Sequence, residues 1–285
     1  MRGHGWVGVG VVLGAEVALF SGVGWVSEWF TPIVWTGYVL LLDALVARLT
    51  GRSYLTTDRV EGVLVVLVSV TGWWLFEWYN APRFWLGGVD ARGLWWQYHA
   101  LEPNLFLRRV GYDWAFATIF PALFLTAAAF RASVFARLRT RPWRPSPALL
   151  RGLTVLGAVA VVIPLLVVSP WLVPLVWGGW ALLLEPWNCR CGRPSWLADL
   201  AYGDASRLVS LLAAGAVCGG LWEFWNFWAA TKWTYTVPFL GGVRLFEMPV
   251  LGYLGFPPFA LECYAMYHAL HAWLDPARRL GDPLI

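Results

Sequence analysis

The chain has 285 residues, of which 59% are hydrophobic and only 13% are charged. In soluble domains roughly a quarter of all residues are charged. The present composition therefore excludes a soluble globular enzyme, a disordered chain and a disulfide scaffold. The net charge of +4 does not indicate nucleic-acid binding, because the basic residues lie between apolar runs, where membrane topology accounts for them. We therefore expect a polytopic α-helical membrane protein.

Eight apolar runs have about the length that a membrane span needs. They cover residues 6–26, 31–49, 60–79, 112–130, 149–168, 170–187, 207–229 and 251–274. The first run follows Arg2 as in a signal peptide, but Glu16 interrupts it and no small-residue cleavage site follows, so we expect a retained span. The long aromatic loops 80–111 and 230–250 are expected to fold back onto the membrane surface as short helices or re-entrant segments.

The distribution of basic residues predicts the orientation of these spans. With the N-terminus in the cytosol, 15 of the 21 Lys and Arg residues fall in cytosolic segments and six in outer segments. The cytosolic set includes Arg278 and Arg279, and the outer set includes Arg83 and Arg92. The positive-inside rule therefore predicts a multi-pass protein of the cell membrane with both termini in the cytoplasm.

Several short motifs occur twice, in the same order and at nearly the same separation. WTGYVLLLD at 35–43 aligns with WGGWALLLE at 177–185 at an offset of 142 residues, and EWYN at 77–80 aligns with EFWN at 223–226. Smaller matches keep the same order: GRSYL with GRPSWL, WQY at 96–98 with WTY at 233–235, and EP at 102–103 with EMP at 247–249. This pattern predicts a tandem duplication.

The predicted organisation is an all-α membrane protein with eight transmembrane helices. Two four-helix repeats, at 1–130 and 149–285, are joined by a basic cytosolic linker at 131–148. Because four spans per repeat leave both repeats in the same orientation, the pseudo-twofold axis is expected to run along the membrane normal. The linker is interpreted as a loop that sets the topology, and a site for lipid headgroups or a partner is the alternative.

Acidic residues inside the predicted spans are the first candidates for chemistry. They are Glu16, Asp43, Glu77, Glu185, Glu223 and Glu262. A carboxylate at membrane depth is costly, so we expect these groups to be neutral, paired or facing water. A buried protonated carboxyl group is a potential general acid. For Asp43 and Glu185, which precede Arg-rich turns, pairing at the interface is the favoured interpretation.

Two of these acids belong to a repeated motif. Glu77 and Asn80 are three residues apart and share one helix face, and Glu223 and Asn226 repeat that geometry. Such a stripe can form an acid–base site. The alternative is a clamp in which the Glu and Asn side chains tie neighbouring helices together by hydrogen bonds.

Tryptophan is unevenly distributed in the predicted topology. Of the 22 Trp residues, 17 fall in the outer half of the membrane or in the outer loops. A symmetric belt at both interfaces does not predict this excess. An aromatic-lined cavity that leans outward predicts it, and so does the alternative, in which the long outer loops use Trp as anchors in lipid.

No metal site and no cofactor are predicted. Cys189 and Cys191 form a single CxC motif in a loop placed in the cytosol, where thiols stay reduced. His268 and His271 are three residues apart near the end of the last span, where an interfacial pair is expected. A metal at these histidines would need a third ligand from elsewhere in the chain.

The segment from Trp222 to Phe256 resembles the small integral-membrane lycopene cyclases of the heterodimeric or fused type. The resemblance comprises an acid after Trp at Trp222-Glu223, the aromatic pair Trp233 and Tyr235, the stretch at 242–245, and Pro249. The family has an acidic pair after this proline, whereas Val250 follows Pro249 here and the nearest acid is Glu247.

The resemblance implies an intramembrane enzyme that acts on an isoprenoid, a carotenoid or a related lipid without a redox cofactor. Protonation of an alkene needs a desolvated carboxylic acid, and aromatic faces stabilise the resulting carbocation. The candidate acid–base residues are Glu223, Glu247, Asn226, Glu77, Asn80 and Glu102. The candidate substrate-binding rings are Trp222, Trp225, Trp233, Tyr235, Trp74 and Trp96.

Two further hypotheses fit the same sequence. Parallel repeats with intramembrane acids are typical of proton-coupled transporters of lipids or other small molecules, which predict broken helices and a water path through both leaflets. A non-catalytic membrane scaffold predicts that the polar residues only hold the bundle together. In each case the expected partner is bilayer lipid or a lipid-soluble substrate, not nucleic acid, and the oligomeric state stays open.

Overall fold

The computed structural model describes residues 2–81, 93–238, 242–274 and 284. Arg83, Arg92, Arg278 and Arg279, which enter the predicted topology, lie outside the described residues. The fold is all-α in character, as the composition predicts, with 72% of the described residues in helices. Within these residues, six helical segments are long and apolar enough to cross a membrane. They are Gly3–Phe20, Phe30–Thr50, Arg59–Asn80, Leu105–Ala132, Pro147–Leu166 and Ser206–Trp228.

The α-helices follow one another along the chain with few strands between them. They are α1 Gly3–Phe20, α2 Gly24–Glu28, α3 Phe30–Thr50, α4 Arg59–Asn80, α5 Leu105–Ala117, α6 Ile119–Ala132, α7 Pro147–Leu166, α8 Val173–Arg190, α9 Trp196–Ala201, α10 Ser206–Trp228 and α11 Phe256–Leu274. Helices α8 and α11 lie where the sixth and eighth spans are predicted, but they are not among the six candidate spans.

The first helix ends earlier than its predicted span. Helix α1 ends at Phe20, where residue 26 was expected, because Gly22 adopts a left-handed conformation with φ of 78° and the chain turns there. The short helix α2 then leads into α3. By contrast, α3, α4 and α10 begin and end within one residue of the predicted spans.

Glycines allow two helix pairs to approach closely. Helix α1 packs on α3 at Gly8, where a Cβ atom would lie 2.6 Å from the carbonyl oxygen of Gly37. Helix α7 packs on α8 at Gly157, where a Cβ atom would lie 2.2 Å from the backbone nitrogen of Leu183. Small residues at such contacts let backbones approach, which is how apolar helices gain packing energy in lipid.

Helix α8 is interrupted in its first half. Trp177 and Gly178 leave the helical conformation, and Gly178 has φ of 122°, which favours glycine. The buried carboxyl group of Glu262 on α11 accepts hydrogen bonds from the backbone N–H groups of Gly178 at 3.0 Å and Trp180 at 2.8 Å. Glu262 therefore satisfies main-chain donors that the interruption frees.

The long aromatic loops contain strands as well as a short helix. Strand β1, Trp96–His99, pairs antiparallel with β2, Lys232–Tyr235, and a smaller pair joins β3, Arg244–Leu245, to β4, Met248–Pro249. The sequence interpretation expected short helices or re-entrant segments and did not predict these strands, although apolar and polar residues alternate in WQYH and KWTY with the period of a strand. A 3-10 helix at Val250–Gly255 leads into α11.

Candidate functional site

A cavity of about 440 Å³ lies between the helices and the β1–β2 ribbon. Aromatic residues form a large part of its wall, and most of them are tryptophans: Trp29, Trp35, Trp73, Trp95, Trp96, Trp177, Trp222 and Trp233. Its volume is in the range of sites for small molecules. The tryptophan excess of the sequence therefore contributes to an aromatic cavity.

The ribbon places four aromatic side chains on one face. Trp96 lies opposite Tyr235 and Tyr98 lies opposite Trp233 in the β1–β2 register. Alternate residues of a strand point to the same side, so these four rings share a face, and all four line the cavity. The polar residues between them, including His99 and Thr234, which hydrogen-bond at 2.7 Å, belong to the other face.

Two asparagines attach this ribbon to the helices. Asn80, at the end of α4, accepts hydrogen bonds from the backbone N–H groups of Trp95 and Trp96 and donates to the Trp96 carbonyl oxygen. Asn226, on α10, accepts from the N–H of Trp233 and donates to its carbonyl oxygen. Each asparagine therefore joins a helix to a strand, and the alternative of an interhelical clamp is wrong for both.

Glu223 is fully buried and lines the cavity. Its Oε1 atom accepts a hydrogen bond from the Tyr235 hydroxyl group at 2.6 Å, and that hydroxyl oxygen accepts one from Trp233 Nε1 at 2.9 Å. The Oε2 atom has no hydrogen-bond partner within the described part of the chain. A buried carboxyl oxygen without a partner next to a cavity is available to a bound molecule.

Glu77 has a different set of donors. Its Oε1 atom accepts hydrogen bonds from Trp73 Nε1 at 2.9 Å, from Trp96 Nε1 at 3.1 Å and from the Tyr98 hydroxyl group. These three rings line the cavity, whereas Glu77 itself is not among the described lining residues. Glu77 therefore lies behind a wall of rings that all donate to it.

The hydroxyl groups of Tyr98 and Tyr235 remain protonated. Burial raises the pKa of both phenols well above its usual value, and the neighbouring carboxyl groups, Glu77 and Glu223 respectively, raise it further. Both tyrosines are therefore hydrogen-bond donors to their glutamates at any physiological pH.

The remaining predicted residues occupy different places. Trp222 lines the cavity, but Trp74 and Trp225 are not among its described lining residues. Trp225 donates to Glu16 Oε1 at 3.0 Å and packs against Trp35. Trp74 donates to Asp113 at 2.7 Å, and the Arg109 guanidinium group lies over its ring.

The two acids of the predicted EP and EMP motifs are not equivalent. Glu247 forms an ion pair with Lys232 at 2.6 Å and is close enough to Glu223 for the two carboxyl groups to interact electrostatically. Glu102 lines the cavity, and its carboxylate accepts a hydrogen bond from the backbone N–H of Asn104 at 2.9 Å, just before α5. Glu102 is therefore held by the turn that begins α5.

Asp43 and Glu185 stabilise the turns that precede α4 and α9. Asp43 accepts hydrogen bonds from the Ser53 hydroxyl group at 2.8 Å and the Leu55 N–H at 3.1 Å. Glu185 accepts from the Ser195 hydroxyl group at 2.6 Å and the Leu197 N–H at 3.0 Å. Pairing at the interface was the favoured interpretation for both acids. In the structure both carboxyl groups are buried and each holds a serine and a main-chain donor, and Asp43 also lies 3.1 Å from His4 Nε2.

The histidine pair that was expected at the membrane interface is buried inside the protein. His268 and His271 are each 2% exposed, and His271 Nε2 lies 3.2 Å from Glu61 Oε2. Within the described residues, the structure contains no group of three or more His, Cys, Asp or Glu side chains that could hold a metal ion. This cluster lies outside the cavity lining that the structure describes.

The sequence interpretation missed several aromatic residues of the cavity, among them Trp73, Tyr98 and Trp177. The aligned motifs WQY and WTY contained the signal for Tyr98, since Tyr98 occupies the place of Tyr235. Trp177 carries the same kind of signal, since it aligns with Trp35 in the first repeated motif and both line the cavity. Trp73 carries none, because only packing shows that it faces the cavity. In comparisons with known proteins, no family model, curated protein or solved structure matches the chain.

Proposed function

We propose that the protein is an intramembrane enzyme that protonates a double bond of an isoprenoid, a carotenoid or a related lipid, in the manner of a cyclase or isomerase. The observation that supports this proposal best is the buried carboxyl group of Glu223, a residue that lines the aromatic cavity. Its Oε2 atom has no hydrogen-bond partner in the described structure. A desolvated carboxyl group can act as a general acid toward a weakly basic carbon.

The wall of the cavity suits a cationic intermediate. Trp222 and Trp233 line it beside Glu223, and their ring faces attract positive charge. Aromatic rings stabilise a carbocation without acting as nucleophilic oxygen or nitrogen groups that would trap it. The donors Trp73 and Trp96 direct their indole N–H groups to Glu77, which leaves the ring faces for the cavity.

The rim of the cavity favours a substrate dissolved in lipid. Leu251 and Leu254, in the 3-10 helix before α11, line the cavity and are 62% and 72% exposed. Exposed leucines at a cavity rim would be unfavourable in water but not against acyl chains. We propose that substrate enters sideways from the bilayer at this helix.

The proposal includes the membrane organisation predicted from the sequence. Helices α8 and α11 would complete eight spans, with both termini in the cytoplasm. Recurring contacts support a duplication: Asp43 and Glu185 hold equivalent serines, and Glu77 and Glu223 both accept from tyrosines that line the cavity. The repeats 1–130 and 149–285, joined by the linker 131–148, would then each contribute one of these acids, with Glu223 in the cavity lining and Glu77 behind it. The chemistry resembles that of the integral-membrane lycopene cyclases.

Proton-coupled transport is the second candidate. Helix α8 is interrupted at Trp177 and Gly178, and interrupted helices near buried acids are a feature of transporters. Labelling of introduced cysteines in the cavity with a water-soluble maleimide distinguishes the two functions. A transporter admits the reagent from both sides of the membrane, whereas the proposed enzyme admits it from one side at most.

The lipid composition of a host that expresses the chain tests the enzyme directly. Isoprenoid lipids would be compared between cells that carry the wild-type chain, E223Q or E185Q, with equal protein levels in the membrane. Glu185 is also a buried glutamate but lies at a turn outside the cavity. We expect a changed isoprenoid profile with the wild-type and E185Q chains and none with E223Q. Identical profiles for all three would refute the proposal.

A further inference from the structure

Glu77 and Glu223 have equivalent tyrosine partners but different environments. Glu77 Oε1 accepts three hydrogen bonds from indole and phenol donors, whereas Glu223 Oε1 accepts one and Oε2 accepts none within the described residues. Hydrogen bonds donated to a carboxylate favour its charged form, and burial without donors favours the neutral acid. Two carboxyl groups whose surroundings differ in this way take different roles in acid–base catalysis.

We propose that Glu223 donates the proton to the substrate and that Glu77 accepts the departing proton through the hydroxyl group of Tyr98. This division of roles rests on the proposed function. Glu223 and the Tyr98 hydroxyl group both belong to residues that line the cavity, whereas Glu77 lies behind Tyr98. Glu77 therefore acts through a ring that can touch the substrate.

Each proton that moves in this reaction has a named donor and a named acceptor. First, the Oε2–H bond of Glu223 breaks, and the π electrons of the substrate double bond form a C–H bond, which leaves a carbocation and a Glu223 carboxylate. After rearrangement or ring closure, a C–H bond next to the cation breaks and its electrons form the new double bond. The Tyr98 oxygen takes this proton and passes its own to Glu77 Oε1.

The product is then an isomer of the substrate, and no oxidant or reductant is used. Glu77 ends protonated and Glu223 ends ionised. Solvent water carries the proton back from Glu77 to Glu223 before the next turnover. Tyr98 is neutral at both ends of the cycle, which agrees with a phenol whose pKa burial and the Glu77 carboxyl group raise.

Infrared difference spectra of the purified protein test this assignment without any substrate. Protonated and ionised carboxyl groups absorb at separate frequencies, so spectra of wild-type protein, E223Q and E77Q at neutral pH identify each form. We expect E223Q to remove a protonated-carboxyl band and E77Q to remove a carboxylate band. The reverse pattern, or the same form for both residues, would overturn the assignment.

Two tyrosine variants provide a second readout that leaves both acids in place. In Y98F, Glu77 loses a donor, so we expect a new protonated-carboxyl band that Y98F/E77Q lacks. In Y235F, the Glu223 band should stay and shift to higher frequency because one hydrogen bond is lost. An unchanged Y98F spectrum would overturn the assignment.

The infrared spectra test the division of roles between the two acids, and the lipid profile tests the proposed function, so either claim can be refuted without the other. If the bands follow the assignment but E223Q gives the same isoprenoid profile as the wild-type chain, the proposed function is wrong while the two protonation states stand. If E223Q abolishes the lipid change but Glu77 is protonated, the function stands and the division of roles is wrong.

Discussion

Trp96 lies directly opposite Tyr235 in the β1–β2 ladder, so residues 139 positions apart in the chain share one face of the ribbon. Trp96 donates to Glu77 and Tyr235 donates to Glu223. The ribbon therefore joins the surroundings of the two acids. A change in its register would move every ring to the other face and separate both glutamates from their donors.

The register can be tested by a disulfide. Gln97 and Thr234 are paired across the ladder, and directly opposite residues have Cα atoms about 4.5–5.5 Å apart, within reach of a disulfide. We expect Q97C/T234C to give a crosslinked peptide in mass spectra after mild oxidation. The control Q97C/K232C, offset by two residues, should crosslink far less. Equal crosslinking of both pairs would contradict the register.

The asparagines should differ in their contribution to stability. Asn80 satisfies three main-chain groups of the ribbon and Asn226 satisfies two. At about 1 kcal/mol for each net hydrogen bond, we expect N80A to lower the free energy of unfolding by about 3 kcal/mol and N226A by about 2 kcal/mol. Unfolding by SDS titration in mild detergent measures both.

The order of the two asparagine variants is the informative result. N80D and N226D serve as matched controls, since Asp keeps the acceptor for the strand N–H groups and loses only the donor to the carbonyl oxygen. We expect each to be less destabilising than its alanine variant. An N226A variant more destabilised than N80A would show that the hydrogen bonds do not determine the effect.

Substitutions of Asp43 and Glu185, the two acids that stabilise turns, should differ more clearly in their effect on stability. The reason is that Asp43 accepts hydrogen bonds on both carboxyl oxygens and Glu185 on only one. Asp43 accepts on both carboxyl oxygens, and His4 Nε2 also lies 3.1 Å from Oδ2. Glu185 accepts both of its hydrogen bonds on Oε1, and Oε2 has no partner within the described structure. An amide can therefore replace Glu185 with its NH₂ group at the free position, but it cannot replace Asp43 without losing an acceptor.

We expect D43N to cost about 1–3 kcal/mol of unfolding free energy and E185Q to cost less than about 0.5 kcal/mol. Thermal unfolding in detergent, followed by the loss of helical circular dichroism, gives the order. E185A, which removes both hydrogen bonds, is the control for burial of the site. Equal losses of unfolding free energy for D43N and E185Q would contradict the hydrogen bonds described for these two carboxyl groups.

The interruption of α8 depends on Glu262. The E262Q variant keeps one acceptor but places an NH₂ group against the second main-chain N–H, either that of Gly178 or that of Trp180. We expect a loss of about 1–3 kcal/mol in unfolding free energy. E16Q is the matched control, because Glu16 accepts a single hydrogen bond from Trp225 that an amide oxygen can keep. A larger loss in E16Q than in E262Q would refute this role.

The sequence predicted the helical class and most helix positions, because apolar runs of bilayer length determine both. The sequence matched WQY at 96–98 with WTY at 233–235 only as copies of one motif, and the structure shows that the two segments also pair with each other. The sequence did not predict that these motifs form strands. The alternation of aromatic residues with Gln97 and Thr234 indicates strands, but the loops were interpreted only from their predicted position at the membrane surface.

The site was only partly predictable. The acids Glu77 and Glu223 follow from their cost at membrane depth, and Tyr235 follows from the resemblance. Which oxygen of Glu223 lacks a partner depends on side-chain packing across α10 and β2, which no pattern encodes. The same applies to Trp225, which has the spacing of a cavity residue but turns its indole N–H to Glu16 on α1.

Solvent deuterium in the product tests the central claim most directly. Host membranes that contain the native lipids would be incubated with purified wild-type protein or E223Q in D₂O buffer, and the isoprenoid fraction analysed by mass spectrometry. Because the Glu223 carboxyl proton exchanges with solvent, wild-type protein should yield new isomers that are one deuterium heavier, and E223Q should yield none. Products without deuterium, or equal labelling by E223Q, would contradict the account.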